Sequence, residues 1–192
     1  FRVGYATGLK YDATGEFYKA GLMNYALGGG FNGRLNINLR EDKGWAYSPY
    51  SITILRQNAV PYLIQASVQA DRTGDSIATL MGLTKELLGP KKVSSDELKI
   101  SVASATGELP GQFQTSDAVL AGMMTNALYG RPDNYYETVA DKYRALTPAT
   151  VDQALTNMLD PNALVFVVVG DSAKVKPQLA KLGMPIEEVP AR

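Results

Sequence analysis

Histidine and cysteine are both missing from the 192 residues, and each absence removes a body of chemistry. Without Cys there is no disulfide, no thiolate metal ligand and no Cys nucleophile. That absence fits the cytoplasm and an oxidising envelope compartment equally, so it does not separate periplasm from cytoplasm. Without His, most catalytic zinc sites, the Ser-His-Asp triads and the Cys-His pairs are excluded, because all of them need an imidazole. Ser-Lys and carboxylate-only chemistry pass that filter. Charge of one sign is not in excess: Lys+Arg and Asp+Glu number 19 each. Neither a nucleic-acid backbone nor an anionic membrane surface is therefore favoured as a partner. Long hydrophobic runs are lacking too. The longest, residues 163–169, is strand-length and far short of the roughly 18 residues that suggest a membrane span. No Asn-x-Ser/Thr acceptor occurs, so glycosylation gives no hint of secretion.

What is present is an ordinary globular balance, 45% hydrophobic and 20% charged, in a length that suits one well-packed domain. The opening Phe1-Arg2-Val3-Gly4 reads as the interior of a strand, which predicts a chain truncated at its N-terminus. There is no internal repeat, low-complexity tract or linker, so residues 1–192 read as a single domain.

Periodicity supplies the elements. A first strand covers 1–6, and Thr14 can cap a helix over 16–27 that stops at Gly28-Gly29-Gly30. A second helix fits 33–43, with Leu35 and Leu39 one turn apart and Gly44 as its stop. Residues 46–57 alternate between a mostly apolar set (Ala46, Ser48, Tyr50, Ile52, Ile54) and a more polar set (Tyr47, Pro49, Ser51, Thr53, Leu55, Gln57). Residues 61–70 do the same, with Tyr62, Ile64, Ala66 and Val68 on the apolar side. Together they predict an antiparallel hairpin covered on one side.

Further helices follow at 73–88, at 94–107 behind the capping box Ser94-x-x-Glu97, and at 116–128. Others are predicted at 135–145, at 147–159 with Thr147 as cap and Pro148 at the first position, and at 175–182. The run 164–169 is apolar on both faces and reads as a central strand. The resulting class is α+β, an antiparallel or mixed sheet covered on one face by several helices. Met123-Met124 and Tyr135-Tyr136 are expected in or near the core, and Glu187-Glu188 in a solvated tail.

Arg40 and Tyr47 stand out as a pair. The stop at Gly44 lets the chain fold back and bring them together, with Tyr47 on the polar side of its strand. A guanidinium with several fixed donors and a phenol with one suit a peptide carbonyl or a developing oxyanion. The competing structural account is a surface ion pair of Arg40 with Glu41 or Asp42, and a Tyr packed at the sheet margin. Gly28-Gly29-Gly30 reads as a helix end and tight turn, and no Gly-Lys-Ser/Thr follows to make a phosphate loop. Ser94, Ser95 and Lys99 could in principle support Ser-Lys catalysis, but capping already accounts for Ser94.

Two stretches go beyond spacing. Ala26-Leu27-Gly28-Gly29-Gly30-Phe31-Asn32-Gly33-Arg34-Leu35 and Leu39-Arg40-Glu41-Asp42-Lys43-Gly44-Trp45-Ala46-Tyr47-Ser48 closely resemble the second, non-zinc domain of pitrilysin/insulysin-type zinc peptidases. Mitochondrial processing peptidases and the core subunits of the cytochrome bc complex share this domain type. Thr147-Pro148 with Val151, and Asp160-Pro161-Asn162 through Val169-Gly170-Asp171, extend the similarity over about residues 20–171.

The resemblance implies a clamshell of two related domains, this chain being the C-terminal, substrate-binding half. A partner domain would carry His-x-x-Glu-His and the zinc, upstream on the same chain or on another subunit of a homo- or heterodimer. No metal is implied in this chain. It further implies that Arg40 grips backbone carbonyls of a peptide substrate, and that the Tyr47 hydroxyl helps stabilise the tetrahedral intermediate. Two other outcomes stay open: a non-catalytic assembly subunit of the same fold, and a stand-alone peptide-binding module using a sheet edge. Bacterial members of the family often work in the periplasm or cell envelope.

Overall fold

The computed structural model describes residues 1–11 and 16–190; Thr14, the expected cap, lies outside them. Four strands carry the fold: β1 (Arg2–Ala6), β2 (Tyr50–Thr53), β3 (Pro61–Gln65) and β4 (Val165–Val167). Among the described residues they form a sheet in the order β2-β3-β1-β4, and every neighbouring pair is antiparallel.

Strand parity decides which face meets the helices. Val3, Ile64 and Ser51 lie in one cross-strand row, and Phe166 continues it on β4. Val3, Tyr62 and Ile64 are fully buried in the main core, among Leu22, Leu27, Leu35, Leu39, Leu80, Leu155 and Met158 from the helices. The opposite face is open, with Tyr50, Ile52, Val165 and Val167 exposed. An α+β architecture with helices on one face of an antiparallel sheet is thus realised.

The helices are α1 (Glu16–Asn24), α2 (Arg34–Asn36), α3 (Thr73–Leu88), α4 (Ser95–Glu108), α5 (Ser116–Tyr129), α6 (Tyr135–Arg144), α7 (Pro148–Met158) and α8 (Ser172–Ala180). Their starts follow the cap residues closely. Ser94 and Glu97 form the reciprocal capping box of α4, and Thr147 with Thr150 does the same for α7, where Pro148 takes the first position. α1 packs against α7. Both early helices end in widened π-helical turns, Tyr25–Gly29 and Ile37–Asp42. The apolar spacing over 16–27 and 33–43 predicts α-helix throughout. π-turns carry one extra residue per turn and cluster at functional sites.

Three expectations are corrected. The strand predicted over 46–57 is confined to Tyr50–Thr53, and its faces are reversed: Ser51 is buried at 3% exposure while Ile52 is 43% exposed. The cause is a register slip. Ala46 bridges to Val68, yet Tyr50 pairs with Gln65, so four steps on one segment answer three on the other. That extra residue flips every side chain beyond it. The alternation starting at Ala46 therefore fails at Tyr50, while that of β3 holds.

The second correction concerns the apolar run near residue 165. Among the described residues β4 pairs with β1 only and lies at the sheet edge, not at its centre. The third is α5, where Met123 and Met124 are 64% and 63% exposed rather than in the core. Gly122 is the buried residue of that helix, set against the Phe113 ring. Tyr135 is buried as expected. In the C-terminal segment, Glu188 is solvent-exposed and also binds α8 through Lys176 at 2.8 Å and Ser172 at 3.1 Å.

Candidate functional site

Arg40 sits in the π-turn that follows α2. Leu35 and Leu39, fully buried, lock that segment to the core. Gly44 follows with φ of +63°, the left-handed conformation that favours glycine at a helix end. The Trp45 and Ala46 N–H groups both donate to the Leu39 carbonyl, at 2.8 and 3.1 Å. The chain is thereby turned back on itself, and Tyr47 emerges beside Arg40.

The two predicted residues are brought together. The Arg40 guanidinium carbon lies 5.0 Å from the centre of the Tyr47 ring and 4.7 Å from that of Phe31. Tyr47 is 78% and Phe31 65% exposed. Tyr47 is thus not packed at the sheet margin; it precedes β2 and stands out from the surface. Arg40 Nε also lies 3.2 Å from Glu41 Oε1, so the surface ion pair coexists with the ring contacts. Exposed pairs of this kind are worth about 0–1 kcal/mol. Among the described residues no hydrogen bond engages the Arg40 Nη groups or the Tyr47 hydroxyl, which leaves these donors without a partner beside two aromatic rings.

The three glycines before Phe31 act through close packing. A Cβ on Gly28 would fall 2.6 Å from Leu35 Cδ1 and 2.8 Å from Ser51 Oγ. Gly30 ends the π-turn in an extended conformation, φ −124°. The segment is therefore a helix end wedged against α2 and β2.

A second polar cluster surrounds Arg131, whose Nε donates to the Tyr11 hydroxyl and whose Nη1 donates to the Tyr136 hydroxyl at 3.0 Å. Its guanidinium carbon lies 4.2 Å from the centre of the Tyr135 ring. Beside it opens a cleft of about 290 Å³ lined by Tyr25, Glu108, Tyr135 and Tyr143, among others. Burial would lower the Arg131 pKa, but its bond to Tyr11 and the nearby tyrosines raise it overall. Burial pushes Tyr11, Tyr135 and Tyr143 upward. At neutral pH this leaves a fixed cation among neutral phenols, an arrangement that ties the exit of β1 to α6. Nothing local in the sequence marks it, since Arg131 lies in Gly130-Arg131-Pro132-Asp133, a turn pattern.

Ser94 is engaged as a helix cap, accepting from Glu97 N at 3.2 Å, while Lys99 faces Asp96 at 3.5 Å. No Ser-Lys pair forms there. Among the described residues no three His, Cys, Asp or Glu side chains could jointly hold a metal ion, and no helix is long and apolar enough to cross a membrane. With His and Cys absent from the chain, its residues do not furnish a zinc site of the usual donor type.

Residues 4–104 match the family model described as the peptidase M16 inactive domain. A curated relative, the non-peptidase homolog YmxG of Helicobacter pylori, is 24% identical over 169 residues. The match takes in 86% of this chain but 38% of that protein, so the chain spans well under half of its relative's length. Among solved structures, a peptidase M16 inactive domain from Pseudomonas fluorescens superposes with a TM-score of 0.71 at 24% identity, covering 85% of this chain and 38% of the other. An inactive peptidase domain from Bordetella parapertussis gives 0.71 at 17% identity, covering 85% and 88%.

Proposed function

Because this chain belongs to the peptidase M16 inactive-domain family, we propose that it is the substrate-holding half of a zinc-dependent endopeptidase. The observation that carries this reading is the Arg40–Tyr47 pair. A guanidinium is held 5.0 Å from an exposed phenol ring, in a chain without histidine. Arg40 donates from its Nη groups to backbone carbonyls of a bound peptide. Tyr47 donates its hydroxyl to the carbonyl oxygen that gains negative charge as the peptide bond is attacked. Zinc and the hydrolytic residues belong to a partner domain, upstream on the same polypeptide or on a second subunit. In this reading residues 1–192 act as one domain, the C-terminal half of a two-domain clamshell.

The test combines the chain with its zinc-bearing half and follows cleavage of a fluorogenic peptide. Arg40→Ala is expected to lower kcat/KM about 10- to 100-fold, the effect of about 1.4–2.8 kcal/mol of lost transition-state binding. Tyr47→Phe keeps the ring and removes one donor, so its loss should fall mainly on kcat. Unchanged turnover in both variants overturns the proposal.

A second reading is a non-catalytic assembly subunit of the same fold. The name of the Helicobacter pylori relative, a non-peptidase homolog, favours it. A His-x-x-Glu-His segment in the partner domain decides for the peptidase, and its absence from every partner decides for the scaffold.

A further inference from the structure

Arg40 has two aromatic neighbours, Tyr47 and Phe31. The second, Phe31, is the nearer: its ring centre lies 4.7 Å from the guanidinium carbon. Phe31 is 65% exposed, so it contributes little to the core, and its contact with Arg40 is the one that sets it apart from a scattered surface hydrophobe.

Its backbone is tightly fixed. Gly33 N donates to the Gly30 carbonyl at 2.9 Å, closing a turn with Phe31 near its tip. A Cβ on Gly33 would fall 3.0 Å from Gly28 Cα, the Gly30 carbonyl and the Tyr25 carbonyl, so the turn is packed down on the preceding segment. Asn36, itself buried, donates from Nδ2 to the Phe31 carbonyl at 2.8 Å. Its Oδ1 has no partner among the described residues.

We infer that Phe31 is a positioning residue for Arg40, and that Asn36 holds Phe31 in place. This rests on the proposed role of Arg40 and Tyr47. A guanidinium against ring faces makes no hydrogen bonds to them, so its N–H edges stay available. Without the second ring, Arg40 swings on its flexible stem and closes further on the adjacent Glu41. Phe31 thus biases the side chain toward the pose that receives peptide carbonyls, at a position that no motif in the sequence marks as functional.

Two measurements test it. In the complete enzyme with a fluorogenic peptide, Phe31→Ala should raise KM about 3- to 10-fold with kcat nearly unchanged, the scale of one cation–π contact. Phe31→Tyr should restore KM, whereas Phe31→Leu, apolar but without a π face, should not. In an Arg40→Ala background, Phe31→Ala should add nothing. Should Arg40→Ala and Tyr47→Phe lower kcat/KM while Phe31→Ala leaves KM unchanged, the inference fails and the substrate-holding reading stands. If all three leave kcat/KM intact, that reading fails.

The second measurement needs no activity. In NMR spectra of the full chain, the Arg40 Nε–Hε group should show an upfield ring-current shift and restricted motion. Both should weaken in Phe31→Ala, where the Tyr47 ring alone remains, and be regained in Phe31→Tyr, with melting temperatures confirming that each variant is folded. An Arg40 signal unchanged in Phe31→Ala overturns the positioning role.

Discussion

Asn24 and Ser51 hold each other in the core: Ser51 Oγ donates to Asn24 Oδ1 at 2.5 Å, and Asn24 Nδ2 donates to the Ser51 carbonyl at 2.7 Å. Both residues are buried, so this reciprocal pair joins the end of α1 to β2 where no water can substitute. Ser51→Val would leave the Asn24 amide oxygen without its donor and crowd Gly28, whose Cα region already lies against Ser51. The expected cost is about 1–3 kcal/mol, the usual penalty for an orphaned buried polar group. Ile52→Ser, one position along but on the open face, should cost less than about 0.5 kcal/mol in the same chain. Urea denaturation of the two variants checks the difference, and equal destabilisation would contradict the strand parity.

That parity marks the limit of what could be read in advance. Helix starts were legible because capping is local chemistry: Ser94 with Glu97, and Thr147 with Pro148, fix their own helices within four residues. β3 was legible because its alternation runs unbroken through Tyr62, Ile64 and Ala66. β2 was not, since the inserted residue between Ala46 and Tyr50 is defined only by what lies across from it. The outward valines of β4 and the exposed methionines of α5 escape for a related reason. An apolar pattern says that a surface tends to be covered, and not that this chain covers it. The Arg40–Tyr47 contact was legible because one glycine with positive φ, Gly44, reverses the chain between them. Phe31 was not, because its approach depends on the π-turns and on Asn36.

Gly44 offers a direct test of that reversal. Its φ of +63° is strained for any residue with a Cβ, yet no atom lies within 4 Å of where that Cβ would be. A substitution there meets a conformational penalty without a clash. Gly44→Ala should cost about 1–2 kcal/mol, and Gly44→Asn less, because Asn tolerates the left-handed region better. Thermal melts give the stabilities. The NMR ring-current shift on Arg40 should remain in the Asn variant and weaken in the Ala variant.

Arg34 and Glu97 join α2 to α4 through two contacts, Nε–Oε1 at 2.7 Å and Nη2–Oε2 at 2.9 Å. Burial would raise the Glu97 pKa, but the bonds from Arg34 and from Ser94 outweigh it and hold the carboxyl below its ordinary value. A lowered folded-state pKa means that the unfolded chain binds the proton more readily. The stability from Glu97 is therefore present above the ordinary carboxylate pKa and is lost as pH falls through the lower folded value. Glu97→Gln should cost about 1.5–3 kcal/mol at neutral pH, the range for hydrogen bonds to charged groups, and toward its lower end because solvent screens the part-exposed carboxylate. It should also flatten the acid limb of the stability profile. Denaturant midpoints between pH 7 and pH 3 would show whether wild type and variant converge.

At the alkaline end the tyrosines set the behaviour. Burial raises the pKa of Tyr62 and Tyr135 far above the ordinary phenol value, and it raises Tyr5, Tyr11, Tyr25 and Tyr143 as well. For an acid whose folded pKa is raised, the native state holds protons that the unfolded chain has already released. Stability is then full below the unfolded pKa, about 10 for tyrosine, and it declines as pH climbs from there toward the folded values. Each such tyrosine contributes a slope of up to about 1.4 kcal/mol per pH unit in that window. Tyr135→Phe removes one contributor, and it leaves the ring over which Arg131 stacks. The variant should match wild type at pH 8 to within about 1 kcal/mol and lose stability less steeply between pH 10 and 11.5. Parallel decline of both proteins would mean that Tyr135 ionises as freely in the folded chain as in the unfolded one.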